Sequence, residues 1–178
     1  MSINSTNWRI STFNGALLAA YFIPTWTIVA FRIMISPIQG LYERPNVSVA
    51  LFISDHLQLS AMTTVRFAWL LAFSKLTVVA FFVIFLVFIA RASIRKAGGC
   101  DEALAMALAI GSVISFVSML LASQVGESAS VKLHATELLL LLGTAIVLLL
   151  ERPAEPQTDA GAASGDLSLQ QSQLLNNR

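Results

Sequence analysis

The sequence predicts an all-α integral membrane protein, with four transmembrane helices in two hairpins and a disordered C-terminal tail. Only 12% of the 178 residues are charged and the mean hydropathy is +0.75, whereas a soluble domain carries about 25% charged residues. The apolar residues are also gathered into four long blocks. Because a helix of roughly 20 apolar residues crosses a bilayer, each block is long enough to be one span.

The predicted transmembrane bundle covers residues 12–152, with its four spans at about 12–36, 67–91, 103–124 and 131–150. The apolar region of a cleaved signal peptide is only about 7–15 residues long. The first apolar block is longer than that, and no pair of small residues suited to cleavage follows it. We therefore expect the first block to be retained as a membrane span.

Three further segments connect or flank the spans. Residues 1–11 are polar and are predicted to form an N-terminal cytoplasmic segment, and residues 37–60 form a long outer loop rich in turn residues. The stretch 47–66 is either an interfacial helix or the beginning of span 2. Residues 153–178 lack aromatic side chains and are rich in Ala, Gly, Ser and Gln, a composition typical of a disordered tail.

Basic residues near the span ends predict the orientation of the chain, because cytoplasmic loops carry an excess of Lys and Arg. The side that holds both termini carries Arg9, Arg91, Arg95, Lys96 and Arg152. The opposite side carries Arg44 and Lys132, with Arg66 at the boundary. This bias predicts that both termini are cytoplasmic and that the chain lies in a bacterial-type inner membrane.

Ionisable residues within the spans predict a polar cluster, because a charge in the bilayer is costly and usually finds a partner. The candidates are Glu137, Lys75, Arg66 and Arg32, of which Glu137 is the one acid inside any predicted span. Arg66 and Lys75 are nine residues apart and therefore lie on opposite sides of a regular helix. We expect Glu137 to pair with Lys75, Arg66 to be interfacial and Arg32 to reach the membrane surface. Such a cluster is either a structural ion pair or a proton or solute site.

Metal and cofactor sites receive little support from the sequence. The single cysteine, Cys100, excludes an internal disulfide and a cysteine-based zinc site. His56 and His134 are weak candidates for haem or metal ligands on the outer side, and His134 shares a helix face with Glu137 at i, i+3 spacing. No cofactor and no metal are therefore predicted.

Small residues recur at helical spacing along span 3, and small side chains let membrane helices approach closely. The stripe consists of Ala107, Gly111, Ser115, Ser118 and Ala122. We interpret it as a helix-packing face that meets a protein partner or a second copy of the chain. A polar pathway along its serines is the alternative.

The functional prediction is a non-enzymatic multi-pass membrane protein. No GxSxG, HExxH, CxxC or Walker A motif is present, and a net charge of +1 gives no indication of a nucleic-acid partner. The first interpretation is an accessory or assembly component of a membrane complex. The alternative is a small transporter or channel subunit that uses Glu137 and Lys75, and the third is a haem- or metal-binding redox subunit.

Overall fold

The computed structural model describes residues 9–91 and 99–151, which are helical and contain no strand. Most of the N-terminal segment, the basic residues Arg95, Lys96 and Arg152, and the tail at 153–178 lie outside the described residues. The helices are α1 (Ile10–Ile35), α2 (Pro37–Leu41), α3 (Val47–Phe52), a π-helical turn (Ile53–Leu57), α4 (Ala61–Ala90), α5 (Gly99–Val125) and α6 (Ser128–Glu151).

Four of these helices, α1, α4, α5 and α6, are long and apolar enough to cross a membrane. They contain 26, 30, 27 and 24 residues, or about 36–45 Å at the rise of an α-helix, against a hydrocarbon thickness of about 30 Å. Within the described residues, the prediction of a helical protein with four span-length helices is therefore confirmed.

Large apolar side chains cover the outer surfaces of the four long helices. Ile35, Leu139 and Leu150 are 79%, 72% and 80% exposed, and many other large hydrophobic residues are more than 40% exposed. Soluble proteins rarely expose apolar surface of this extent. The surface is therefore compatible with contact to lipid around the bundle.

The main core is built from aromatic residues of α1 and α4. The rings of Phe22 and Phe82 stack with centroids 5.7 Å apart, and Trp26 meets Phe22 edge-on at 5.0 Å. Leu104 and Leu141 join the same core from α5 and α6. The aromatic layer therefore connects all four long helices.

A second core connects the segment between α1 and α4 to the bundle. Leu41 of α2 and Ile53 of the π-helical turn belong to a buried cluster with Ile33 of α1 and with Ala68 and Ala72 of α4. The stretch predicted as 47–66 is thus divided. Residues 47–57 form a separate short helical piece, whereas residues 61–66 are the first part of α4.

Helix α4 is continuous through Lys75, which lies near its middle. The hydroxyl of Ser74 donates to the carbonyl of Leu70 at 2.8 Å, and that of Thr77 donates to the carbonyl of Phe73 at 2.9 Å. These bonds satisfy two polar side chains without interrupting the helix. The polar residues around Lys75 therefore do not mark a helix break.

Hydrogen bonds of Arg9 and Glu151 connect the start of α1 to the end of α6 and the start of α5. The Glu151 carboxylate accepts hydrogen bonds from the backbone N–H groups of Ile10 and Ser11, at 2.8 and 3.1 Å. Arg9 forms an ion pair with Asp101 at 2.6 Å and donates to the carbonyl of Glu151 at 2.9 Å. The start of α1 lacks a side-chain cap of its own, so this distant carboxylate satisfies the exposed N–H groups.

The small-residue stripe of α5 packs inside the chain. Ala107, Ser115, Ser118 and Ala122 are buried at 5% exposure or less, and a Cβ on Gly111 would lie 3.3 Å from Leu141 of α6. Helices α4 and α6 of the same chain therefore pack against this face, and the predicted protein partner or second copy stays a prediction.

Candidate functional site

The core of the bundle contains five residues that we call the buried polar cluster: Trp26, Asn46, Lys75, His134 and Glu137. They come from α1, the α2–α3 connection, α4 and α6. Each is 6% exposed or less. Polar groups at this depth are stable only when they find hydrogen-bond partners, so their contacts define what the site can do.

The acceptor for Lys75 comes from the loop. Its Nζ donates to Oδ1 of Asn46 at 2.7 Å and lies 5.5 Å from the centre of the Trp26 ring, within the range of a cation–π contact. An ammonium group has three N–H bonds. Within the described residues, the contact with Asn46 uses one of them, so the other two remain available to a ligand.

Asn46 is held in place by close packing of α2 against α1. Its Nδ2 donates to the carbonyl of Gly40 at 3.2 Å. A Cβ on Gly40 would lie 2.7 Å from the Cα of Ile33, so a side chain there would collide with the backbone of α1. Asn46 precedes α3, but its side chain makes no capping bond to that helix. The side-chain amide of Asn46 instead bonds Lys75 of α4 and positions its ammonium group.

The carboxylate of Glu137 receives contacts from three helices. Trp26 Nε1 donates to Oε1 at 3.3 Å, and Ser115 Oγ donates to Oε2 at 3.4 Å. Oε2 also lies 3.0 Å from Nδ1 of His134, whose Nε2 lies 3.2 Å from the carbonyl oxygen of Pro45. The i, i+3 spacing of His134 and Glu137 thus forms a real contact.

The structure corrects the expected ion pair between Lys75 and Glu137. Among the described residues, the ring of His134 lies against the Glu137 carboxylate at 3.0 Å, while Lys75 bonds the neutral amide of Asn46 at 2.7 Å. The physical reason is that the loop between α2 and α3 enters the bundle and supplies a closer acceptor. The two residues still line one cavity and both contact Trp26.

The two arginines predicted for the cluster lie outside it. Arg32 forms a surface ion pair with Glu43, with Nη1 at 2.9 and 3.0 Å from the two carboxylate oxygens, and its side chain is 60% exposed. Arg66 is exposed on α4. The cluster therefore contains Lys75 as its one amine and Glu137 as its one carboxylate.

The two histidines have different environments. His56 is exposed and its ring stacks on Phe52 with centroids 4.9 Å apart, whereas His134 is buried. Within residues 9–91 and 99–151, no group of three or more His, Cys, Asp or Glu side chains is arranged to hold a metal ion. The exposed His56 therefore lies outside the buried polar cluster that contains His134.

A cavity of about 310 Å³ opens beside the cluster, between α1 and α6. Its polar lining includes Tyr21, Trp26, Lys75, His134 and Glu137, and Ile28, Val29 and Leu133 add apolar surface. This volume is at the small end of the range for ligand pockets. An ammonium, an imidazole and a carboxylate around such a space can bind a small solute and can hold or release protons.

The contact line between α1 and α6, which we call the seam, is also open further along these two helices. A second cavity of about 360 Å³ is lined by Leu17 of α1 and by Leu140 and Gly143 of α6, among others. A Cβ on Gly143 would have no atom within 4 Å. Helices α1 and α6 are therefore loosely packed along this seam.

Sequence reasoning missed Asn46, Trp26 and the carbonyl of Pro45 as parts of the site. Asn46 stands in a loop beside an apolar stretch, and that position does not indicate a role in the core. No known protein-family model, curated protein or solved structure matches this chain. The geometry of the cluster and its cavity is therefore what indicates a function.

Proposed function

We propose that this chain is a non-enzymatic multi-pass membrane protein whose buried polar cluster binds a small polar solute, as a transporter or channel subunit does. One observation carries the proposal. Lys75, His134 and Glu137 are each 6% exposed or less, yet all three line one cavity. Ionisable groups inside membrane segments generally mark the path of a substrate or proton.

The main competing explanation is a purely structural ion cluster. Buried ion pairs contribute little net stability, and well-packed apolar residues often replace them without loss. A structural cluster would also be expected to pack tightly, because protein interiors contain few voids larger than a water molecule. The cavity beside Lys75 and Glu137 favours a site that admits a ligand.

The membrane arrangement is part of the same proposal. The four long helices cross the bilayer as two hairpins, with both termini on the cytoplasmic side of a bacterial-type inner membrane. The excess of basic residues on the terminal side supports this orientation. The contacts of Arg9 and Glu151, which gather three helix ends at one end of the bundle, support the hairpins.

Solute flux into proteoliposomes tests the function. Stopped-flow swelling would compare wild type with Lys75→Met and Glu137→Gln for a panel of small neutral, anionic and cationic solutes. We expect wild type to pass at least one class, and each substitution to reduce that flux to the level of empty liposomes.

Arg32→Gln is the matched control, because it removes a charge from an exposed ion pair outside the cavity. It should retain the wild-type flux. Equal swelling of wild-type and protein-free liposomes for every solute would contradict the proposal, as would unchanged flux in both cluster variants that remain folded.

A second candidate is the accessory or assembly component, with the partner on a different face from that first predicted. The loosely packed seam between α1 and α6, with its second cavity and exposed Gly143, favours it, because small residues let a partner helix approach closely. Purification in mild detergent tests this candidate. A complex lost on Gly143→Leu supports it, and a monomer that is unaffected contradicts it.

A further inference from the structure

The two ring nitrogens of His134 both face acceptors. Nδ1 lies 3.0 Å from the Glu137 carboxylate and Nε2 lies 3.2 Å from the carbonyl oxygen of Pro45. A backbone carbonyl only accepts hydrogen bonds, and a neutral imidazole carries one N–H. In one of the two contacts, the lone pair of a ring nitrogen would then face the lone pair of an oxygen. Both contacts become hydrogen bonds only when the pair holds one additional proton.

That proton has two possible positions with the same total charge. It lies on Nδ1, giving an imidazolium beside a carboxylate, or on Glu137, whose O–H then donates to Nδ1. The His134–Glu137 pair is neutral in both cases. Loss of the proton would break one of these two hydrogen bonds and leave a negative charge on the pair, which the ammonium of Lys75 would then balance.

The proton-loaded cluster has an uncompensated positive charge. Two titratable side chains of other helices face the pair: Lys75 on α4, which is charged, and Tyr21 on α1. Helix α5 contributes the neutral hydroxyl of Ser115. The loop contributes only neutral groups of Pro45 and Asn46. With His134 and Glu137 neutral as a pair, the ammonium of Lys75 gives the site a charge of about +1.

The lining of the cavity indicates the shape of a matching ligand. Lys75 has two N–H bonds that are not used by Asn46, and the apolar side chains of Ile28, Val29 and Leu133 lie in the same cavity. A volume of about 310 Å³ is larger than a halide ion requires. A carboxylate on Lys75 with a short apolar chain against these side chains satisfies both features.

We propose that the site binds a short-chain monocarboxylate together with one proton, which is held by the His134–Glu137 pair. This inference rests on the proposed function and specifies its solute class. The proton comes from solvent, neutralises the pair and thereby keeps the charge of Lys75 available to the anion. Release of the proton restores the negative charge of the pair and expels the anion.

A fluorescence titration measures the linkage between proton and anion. Trp8→Phe and Trp69→Phe leave Trp26, which contacts both Lys75 and Glu137, as the sole tryptophan. The probe is butyrate, added to the purified full chain in detergent from mildly acidic to mildly alkaline pH. We expect a constant affinity at low pH that falls about tenfold per pH unit above the release of the proton.

Glu137→Gln is the decisive variant. Its amide can donate to Nδ1 of a neutral His134, so it imitates the proton-loaded pair. We expect butyrate affinity in this variant to stay at the low-pH wild-type value across the whole range. A pH slope that persists in Glu137→Gln would show that the Glu137 carboxylate does not share the linked proton, and would overturn the inference. Arg32→Gln, which changes an exposed ion pair outside the cavity, should retain the wild-type slope.

Probes of similar size test the inference that the solute is an anion separately from the proposed solute-binding function. Butyramide and butylammonium have the size of butyrate without its negative charge, and we expect each to bind at least tenfold more weakly. If either binds as well as butyrate, the anion inference is wrong while a solute-binding function stands. If no probe changes Trp26 fluorescence in a protein with wild-type thermal stability, the anion inference is overturned, and the flux panel decides the proposed function separately.

Discussion

Replacing Asn46 by Ala removes the hydrogen-bond acceptor of Lys75 and should substantially destabilise the bundle. The lost bond joins Lys75 Nζ to Asn46 Oδ1 at 2.7 Å, between residues that are 3% and 1% exposed. A hydrogen bond to a charged group contributes about 1.5–3 kcal/mol, and the neutral bond from Asn46 to Gly40 contributes about 0.5–1.5 kcal/mol. We expect a total loss of about 2–4 kcal/mol in the free energy of unfolding.

A double-mutant cycle isolates the contact itself. Asn46→Ala, Lys75→Met and the double substitution would be unfolded in mixed micelles of mild and denaturing detergent. Removal of Lys75 alone has two opposing effects, because it eliminates a buried charge but leaves the Asn46 carbonyl without its donor. The coupling energy is independent of this balance and should be about 1.5–3 kcal/mol.

The exposed pair of Arg32 and Glu43 supplies the control cycle. Its coupling should be about 1 kcal/mol or less, since surface ion pairs contribute little. If the losses from Asn46→Ala and Lys75→Met are additive, the two side chains do not interact, and the account of how the loop positions Lys75 is refuted.

Three further substitutions test the packing by thermal unfolding in detergent. Gly40→Ala should lower the free energy of unfolding by about 2–3 kcal/mol, because its Cβ would collide with the α1 backbone. Gly143→Ala should leave that free energy unchanged or raise it by up to about 1 kcal/mol. Equal effects of the two substitutions would contradict the close packing of α2 against α1. Glu151→Gln should cost about 1–2 kcal/mol through weaker bonds to the start of α1, and no effect beyond that of the exposed control Glu102→Gln would refute this role. Ser118→Leu should destabilise by about 1–3 kcal/mol at every protein concentration, because its contacts are internal; a loss that disappears on dilution would instead indicate an interface between copies.

Local sequence patterns were sufficient to predict the four long helices. Each apolar block is continuous, so hydropathy locates the helix without knowledge of its neighbours. The boundaries were less accurate. Helix α4 begins at Ala61 rather than 67, because its first turns carry Thr63, Thr64 and Arg66, which hydropathy alone assigns to a loop.

The site was predictable only where its contacts are local. His134 and Glu137 are three residues apart on one helix, so helical geometry brings them together. Asn46 and Lys75 are 29 residues apart, and their contact requires the loop to enter the bundle. Neither periodicity nor charge counting contains that information, and the search for an opposite charge led to Glu137 instead of a neutral amide.

The small-residue stripe illustrates a similar limit. Its spacing correctly indicates a face where helices approach closely. Spacing does not indicate which helix occupies the face, and the structure places Leu141 of α6 and Val78 of α4 next to Gly111. Intramolecular and intermolecular packing use the same residues, so only the arrangement of the helices distinguishes them.

The proposed function requires that a solute from water reaches the buried polar cluster inside an otherwise apolar bundle. Cysteine accessibility tests it without knowledge of the solute. Val29→Cys places a thiol in the cavity, and Phe73→Cys places one on the apolar surface of α4 close to the level of Lys75. Both are made with Cys100→Ala, and a charged, membrane-impermeant thiol reagent is added to reconstituted protein. We expect rapid labelling of Val29→Cys and no labelling of Phe73→Cys. Equal inertness of both thiols would show that solutes from water do not reach the cluster.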